Sequence, residues 1–150
     1  MKIIFLDFDG VLNSEKYIRA CRKCGVIVNP SSMLLLKQIV DRTGAYIVLS
    51  TSWREHWGKN EAECDDVGLE INRIFDDFGL KIFDKTPKMN YCREDEIEEW
   101  LIFNPEVENF VVLDDAFLDS KKIRNHFVKT DNYKDGLDEN DVEKAITILK

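Results

Sequence analysis

Long apolar runs are missing from this 150-residue chain. Nothing approaches the ~20 apolar residues of a membrane span. The first apolar run, Ile3 to Leu6, is too short for the core of a secretory signal. A cytoplasmic location is the expectation that follows. Proline and glycine are sparse, at 3 and 7 residues. No Pro/Gly-rich linker, low-complexity tract or internal repeat breaks the sequence, which argues for one domain over residues 1–150. Histidine is nearly absent: His56 and His126 have no partners at a catalytic or ligand spacing, so both are read as structural or surface residues. Cys21 and Cys24 form a CxxC, but a second CxxC or a CxxH is lacking and no strand precedes the motif. Reduced thiols are therefore expected for all four cysteines, ahead of a structural zinc or a thioredoxin-like role. An excess of positive charge is also missing. With 29 acidic and 21 basic residues the net charge is −8, so no global attraction to nucleic acid is expected.

What the chain does have is an alternation of strand-like and helix-like segments. Strand patterns cover 2–8, 45–50, 109–114 and 126–129, with a weak one near 80–83. Helical spacing marks 31–42, 60–78, 93–103 and about 139–149. Asn29-Pro30 opens the first of these as a cap followed by proline, and Gly44 stops it. Strands alternating with helices predict an α/β fold around a parallel sheet with right-handed crossovers. Such sheets place their sites beyond the carboxyl ends of the strands.

The residues at those ends are chemically loaded. Asp7 and Asp9 follow the first strand, with Gly10 breaking the run; Ser50, Thr51 and Ser52 follow the second; Asp114 and Asp115 follow the fourth. Carboxylates converging on one edge repel and raise one another's pKa unless a cation intervenes. An all-oxygen carboxylate site with open positions suits Mg²⁺. "SWRE" reads as a capping box from Ser52 to Glu55, with Ser50 and Thr51 before it as an anion site. Carboxylates, a cation and an anion cradle together describe a phosphoryl-transfer centre, and an aspartate is a competent covalent nucleophile.

"DFDGVLN", "IVLSTSWR" and "VVLDDAFLD" resemble motifs I, II and IV of the haloacid dehalogenase-like (HAD) hydrolase superfamily. More narrowly, "SxSWR", the "RxxEIxxWL" helix and the late Gly136-Leu137 segment look like the HAD domain of Swiss-army-knife RNA repair proteins. The resemblance implies a Rossmann-like, HAD-type three-layer sandwich with a five-stranded parallel sheet in the order 3-2-1-4-5. It implies Asp7 as nucleophile and Asp9 as general acid, then base. Mg²⁺ would be held by Asp7, the Asp9 backbone carbonyl and one or both of Asp114 and Asp115. Ser50 would bind the transferring phosphoryl group, with Gly10, Thr51 and Arg54 around it. For the motif III cation the interval offers Arg93, Lys88 and Lys85, with Arg93 favoured.

Residues 14–29 are too few for an independent cap domain, so an open site with a short basic insert is expected. That insert carries Lys16, Arg19, Arg22 and Lys23 with Tyr17 among them; Trp53, Arg54, Trp57 and Lys59 follow motif II. Basic groups interleaved with aromatics suit single-stranded nucleic acid. The reading is a Mg²⁺-dependent phosphomonoester hydrolase, with a nucleic-acid end as favoured substrate. A small-metabolite or nucleotide phosphatase is the alternative, favoured by the negative charge. A catalytically silent phosphate- or metal-binding module is the alternative of another class.

Overall fold

Strand β1 (Lys2–Leu6) lies at the centre because its neighbours can flank it on both edges and its side chains are buried on both faces. It pairs in parallel with β2 (Tyr46–Leu49) and β4 (Asn109–Asp114); β3 (Ile82–Lys85) and β5 (Phe127–Lys129) complete the edges. The order is β3-β2-β1-β4-β5, all parallel, as expected of a HAD-type sheet. This computed structural model describes residues 1–89 and 92–150.

Alternation along the strands divides the core in two. Ile4, Leu6, Ile47, Leu49, Val111 and Leu113 face one layer of helices: α2 (Pro30–Thr43), α3 (Asp66–Asp77) and α5 (Glu139–Leu149). Ile3, Phe5, Val48 and Val112 face the other, where α4 (Arg93–Phe103) inserts Ile97 and Trp100. The result is a three-layer sandwich.

The sequence signals for α2 act as read. Asn29 Oδ1 accepts the Ser31 N–H at 3.0 Å, Pro30 starts the helix, and Gly44 ends it at φ +71°. Two expectations change. The single helical stretch over 60–78 divides into a short 3₁₀ turn at Glu61–Glu63 and α3, which begins where the Asp65 carboxylate caps the Val67 and Gly68 N–H groups. The Ser52–Glu55 capping box does not form. Ser52–His56 is a 3₁₀ turn capped instead by the Thr51 hydroxyl, and Glu55 is drawn away to pair with Lys88 at 2.6 Å.

Between β1 and α2 the insert folds only into the six-residue helix α1 (Glu15–Ala20), capped by Ser14. No second domain covers the carboxyl edge among the described residues. No helix of the described residues is long and apolar enough to cross a membrane.

Candidate active site

Strand register builds the site. Leu6 lies opposite both Leu49 and Leu113, so Asp7, Ser50 and Asp114 leave the sheet side by side. Parity assigns them a common face. Asp7 continues the Phe5 side, Ser50 the Val48 side and Asp114 the Val112 side, which is the face that α4 covers. The first residue of α4 is Arg93. An arginine in the first turn of a helix opposes the macrodipole, and here carboxylates compensate for it. Its Nη1 lies 2.9 Å from Asp7 Oδ2 and 2.6 Å from Asp114 Oδ2.

Asp7 is 6 % exposed and Asp114 fully buried. Asp115 stands beside them, and oxygens of Asp7, Asp114 and Asp115 lie within 4.8 Å of one another. One guanidinium thus faces three carboxylates. Burial is the main cause that pushes Asp7 up to about 7 from an ordinary 3.8; Arg93 opposes the rise, and Asp114 adds to it. Asp115 is also raised, by burial first and then by Asp114. The cluster therefore lacks positive charge, and its donors are all hard oxygens. A divalent cation such as Mg²⁺ fits that set. Gly10 makes the arrangement possible: it has φ +85°, and a Cβ there would stand 2.4 Å from Asp115 Cγ. Its N–H is taken by Asn13 Oδ1 and its carbonyl by Thr130 Oγ1, so Gly10 contributes space for Asp115.

A pH dependence follows. Between about 4 and 7 folded, metal-free Asp7 holds a proton that the unfolded chain has lost, so stability through this group falls as pH rises. A cation favours the ionised form. Mg²⁺ is expected to raise the melting temperature more at pH 8 than at pH 5, as read by thermal denaturation with and without chelator. Equal shifts at both pH values would contradict the placement.

Ser50 is fully buried, and its Oγ has no hydrogen-bond partner among the described residues. A buried hydroxyl without a partner is costly, and this one stands beside Asp7 at the edge where a ligand would arrive. Thr51 is also buried; its Oγ1 accepts the Trp53 N–H at 3.3 Å. The Asp9 side chain takes no part in the carboxylate cluster. It is exposed, and its oxygens accept from Asn13 Nδ2 at 3.1 Å and Trp53 Nε1 at 3.2 Å.

Several expected site residues lie elsewhere. Arg54 does not stand on an exposed rim: it is 6 % exposed, and its nitrogens donate to Thr51, Thr86 and Pro87 carbonyls and to Glu96. Its charge is neutralised within the protein by Glu96, so it stays in the core. Trp57 is buried as well, donating to Asn72 Oδ1 at 2.9 Å. Lys59 leans over the Phe83 ring near Asp84, away from the carboxylates. Lys85 donates to the Arg54 and Trp57 carbonyls, and exposed Lys88 pairs with Glu55. Of the three motif III candidates, Arg93 is the one in contact with Asp7.

The sequence reading missed four contributors. Asn13, inside "DFDGVLN", ties Gly10, Asp9 and the Ile27 carbonyl together. Glu94 and Glu96 both lie in the first turn of α4. Glu96 pairs with Arg54 at 2.6 Å, while Glu94 accepts the Asp119 and Ser120 N–H groups and so holds the loop after Asp115. Thr130 braces the Gly10 carbonyl at 2.6 Å. The histidines behave as read: His56 meets Asp65, and His126 stacks on Phe110. The four cysteines are free thiols.

The model of a family described as the HAD domain in Swiss Army Knife RNA repair proteins matches residues 3–142. No curated protein and no solved structure matches the chain. Since that match spans nearly the whole sheet and every strand end just described, the chain belongs to this family of HAD domains.

Proposed function

We propose that this protein is a Mg²⁺-dependent phosphomonoester hydrolase that works through an aspartyl-phosphate on Asp7 and acts on the phosphorylated end of a nucleic acid. Membership of a HAD family supports a phosphatase-type hydrolase in general. The observation that carries the finer reading is the row of Asp7, unpartnered Ser50 and Asp114 on one sheet edge, with Arg93 between the two aspartates.

In this reading the Asp7 carboxylate attacks phosphorus as the ester P–O bond breaks, and the proton of Asp9 passes to the departing oxygen. Water then attacks phosphorus and gives a proton back to Asp9, and the Asp7–phosphate bond breaks to release phosphate. The Ser50 hydroxyl donates to a phosphoryl oxygen, and Arg93 neutralises charge that builds there. Asp7, Asp114 and Asp115, with the Asp9 carbonyl, would hold Mg²⁺, which supplies charge neutralisation at the phosphoryl group. Removing the Ser50 hydroxyl is expected to cost about 10²–10³ in kcat, as for other lost transition-state hydrogen bonds. Steady-state kinetics of Ser50→Ala would show it, and a loss under threefold would contradict the cradle.

Two features favour a bulky substrate. The short helix α1 and its loop keep Lys16, Arg19 and Arg22 exposed, although Glu15 pairs with Arg19. A hollow of about 480 Å³ lies between Lys16, Arg19 and the largely exposed ring of Tyr133. Loss of a basic group that contacts the nucleic-acid backbone weakens binding and flattens its salt dependence. For a 3′-phosphorylated oligonucleotide, Lys16→Ala/Arg22→Ala is therefore expected to lower kcat/KM about tenfold at low salt and less at high salt. A mononucleotide should be little affected. Equal behaviour of both substrates, or no turnover of the oligonucleotide, would favour a metabolite phosphatase, which the net charge of −8 suits.

A further inference from the structure

The Asp9 side chain is exposed, and an exposed aspartate ordinarily samples several rotamers. Here two donors from two different elements hold it. Asn13 Nδ2 meets Oδ1 at 3.1 Å and Trp53 Nε1 meets Oδ2 at 3.2 Å, so both oxygens and hence the carboxylate plane are fixed. Each donor is itself anchored. Asn13 is 1 % exposed and is bound to the Gly10 N–H and the Ile27 carbonyl. Trp53 sits in the 3₁₀ turn that Thr51 caps, and its ring packs against the main core. The indole N–H can only donate. It can therefore orient Asp9 without competing for its proton, and each carboxyl oxygen keeps a second lone pair for the reaction.

We propose that Trp53 is a positioning residue for the acid/base aspartate, through its N–H rather than its ring. The inference rests on the reading of Asp9 as general acid, then base. In the first step Asp9 gives its proton to the oxygen of the breaking ester bond while the Asp7–phosphorus bond forms. In the second it takes a proton from the water that attacks phosphorus. A carboxyl group free to turn would deliver that proton less often, and the cost would fall on substrates whose leaving group needs it. The motif II turn thereby serves both ends of the reaction, with Ser50 at the phosphoryl group and Trp53 behind the proton donor.

The test compares 4-nitrophenyl phosphate, whose leaving group needs little protonation, with glycerol phosphate, whose alkoxide needs it. Neither carries a base that could stack on the indole. Trp53→Phe is expected to lower kcat/KM, which covers only the steps up to departure of the leaving group, about tenfold for glycerol phosphate and less than twofold for 4-nitrophenyl phosphate. If Trp53→Phe proves unfolded, benzothienylalanine at position 53, which replaces the N–H with sulfur and keeps the ring, is expected to give the same split. Asp9→Asn serves as the reference and should show a larger split of the same kind. Selectivity in Asp9→Asn with equal losses, or none, in the Trp53 variants would overturn the role of Trp53 and leave that of Asp9 standing. No selectivity in Asp9→Asn would overturn the acid/base assignment and this inference with it.

Discussion

Asp7→Asn is expected to keep the fold and lose turnover by roughly 10⁴-fold or more, in keeping with removal of other covalent nucleophiles. An amide of the same shape fits the site, but it neither attacks phosphorus nor carries charge for a cation. The fold should tolerate it well. Burial, with Asp114 beside it, raises the Asp7 pKa to about 7, so a neutral amide avoids the cost of a buried charge, and its single oxygen still accepts from either Arg93 or the Phe8 N–H. Kinetics and thermal melting of the same preparation separate the two effects. Activity within tenfold of wild type, in a variant that melts normally, would contradict covalent catalysis at this residue.

Glu96→Ala should have the largest effect on stability. The Arg54–Glu96 pair is buried, and Glu96 Oε2 also accepts the Met89 N–H at 3.1 Å. Together the two side chains lace the Ser52–His56 turn, the Thr86–Met89 segment and the start of α4 into one unit. Removing one partner strands the other charge, which costs about 3–5 kcal/mol in buried pairs. That is a large part of the 5–15 kcal/mol typical of a domain. It corresponds to roughly 6–20 °C in melting temperature at this chain length. Denaturant unfolding should show the midpoint falling accordingly, with Glu96→Gln milder because it keeps an acceptor. Arg54→Met/Glu96→Leu, which removes both charges, should recover much of the loss. A loss below about 1 kcal/mol in Glu96→Ala would mean that the pair is not buried as described.

The contrast between Arg93 and Arg54 shows what was legible in the sequence. Strand ends can be read locally, because an apolar run that stops at Asp or Ser marks both the edge and its chemistry. Asp7, Ser50 and Asp114 were placed that way, and the sheet order followed from their resemblance to HAD motifs. The weakest strand, β3, was shifted by two residues because Asp84 and Lys85 obscure its apolar pattern at the sheet edge. Arg54 carries no local sign of its partner. Glu96 lies 42 residues away, and only the tertiary structure pairs them. Its place after motif II made it look like a substrate group, when its charge was already matched inside the fold. The Trp53–Asp9 contact spans 44 residues and was invisible for the same reason. The capping box at Ser52 failed for a different cause. Thr51, one residue earlier, is the better-placed cap, and Lys88 from a distant loop competes for Glu55.

The central claim is that Asp7 itself becomes phosphorylated. Acid quenching of the enzyme during turnover of a phosphate-labelled substrate, followed by digestion and borohydride reduction, reads this directly. The account predicts label on the peptide that contains Asp7, removed by hydroxylamine, with homoserine at position 7 after reduction. Label should accumulate in Asp9→Asn, where water activation fails while attack on an aryl phosphate continues. Turnover with no protein-bound label in either protein, or label on any residue other than Asp7, would contradict it.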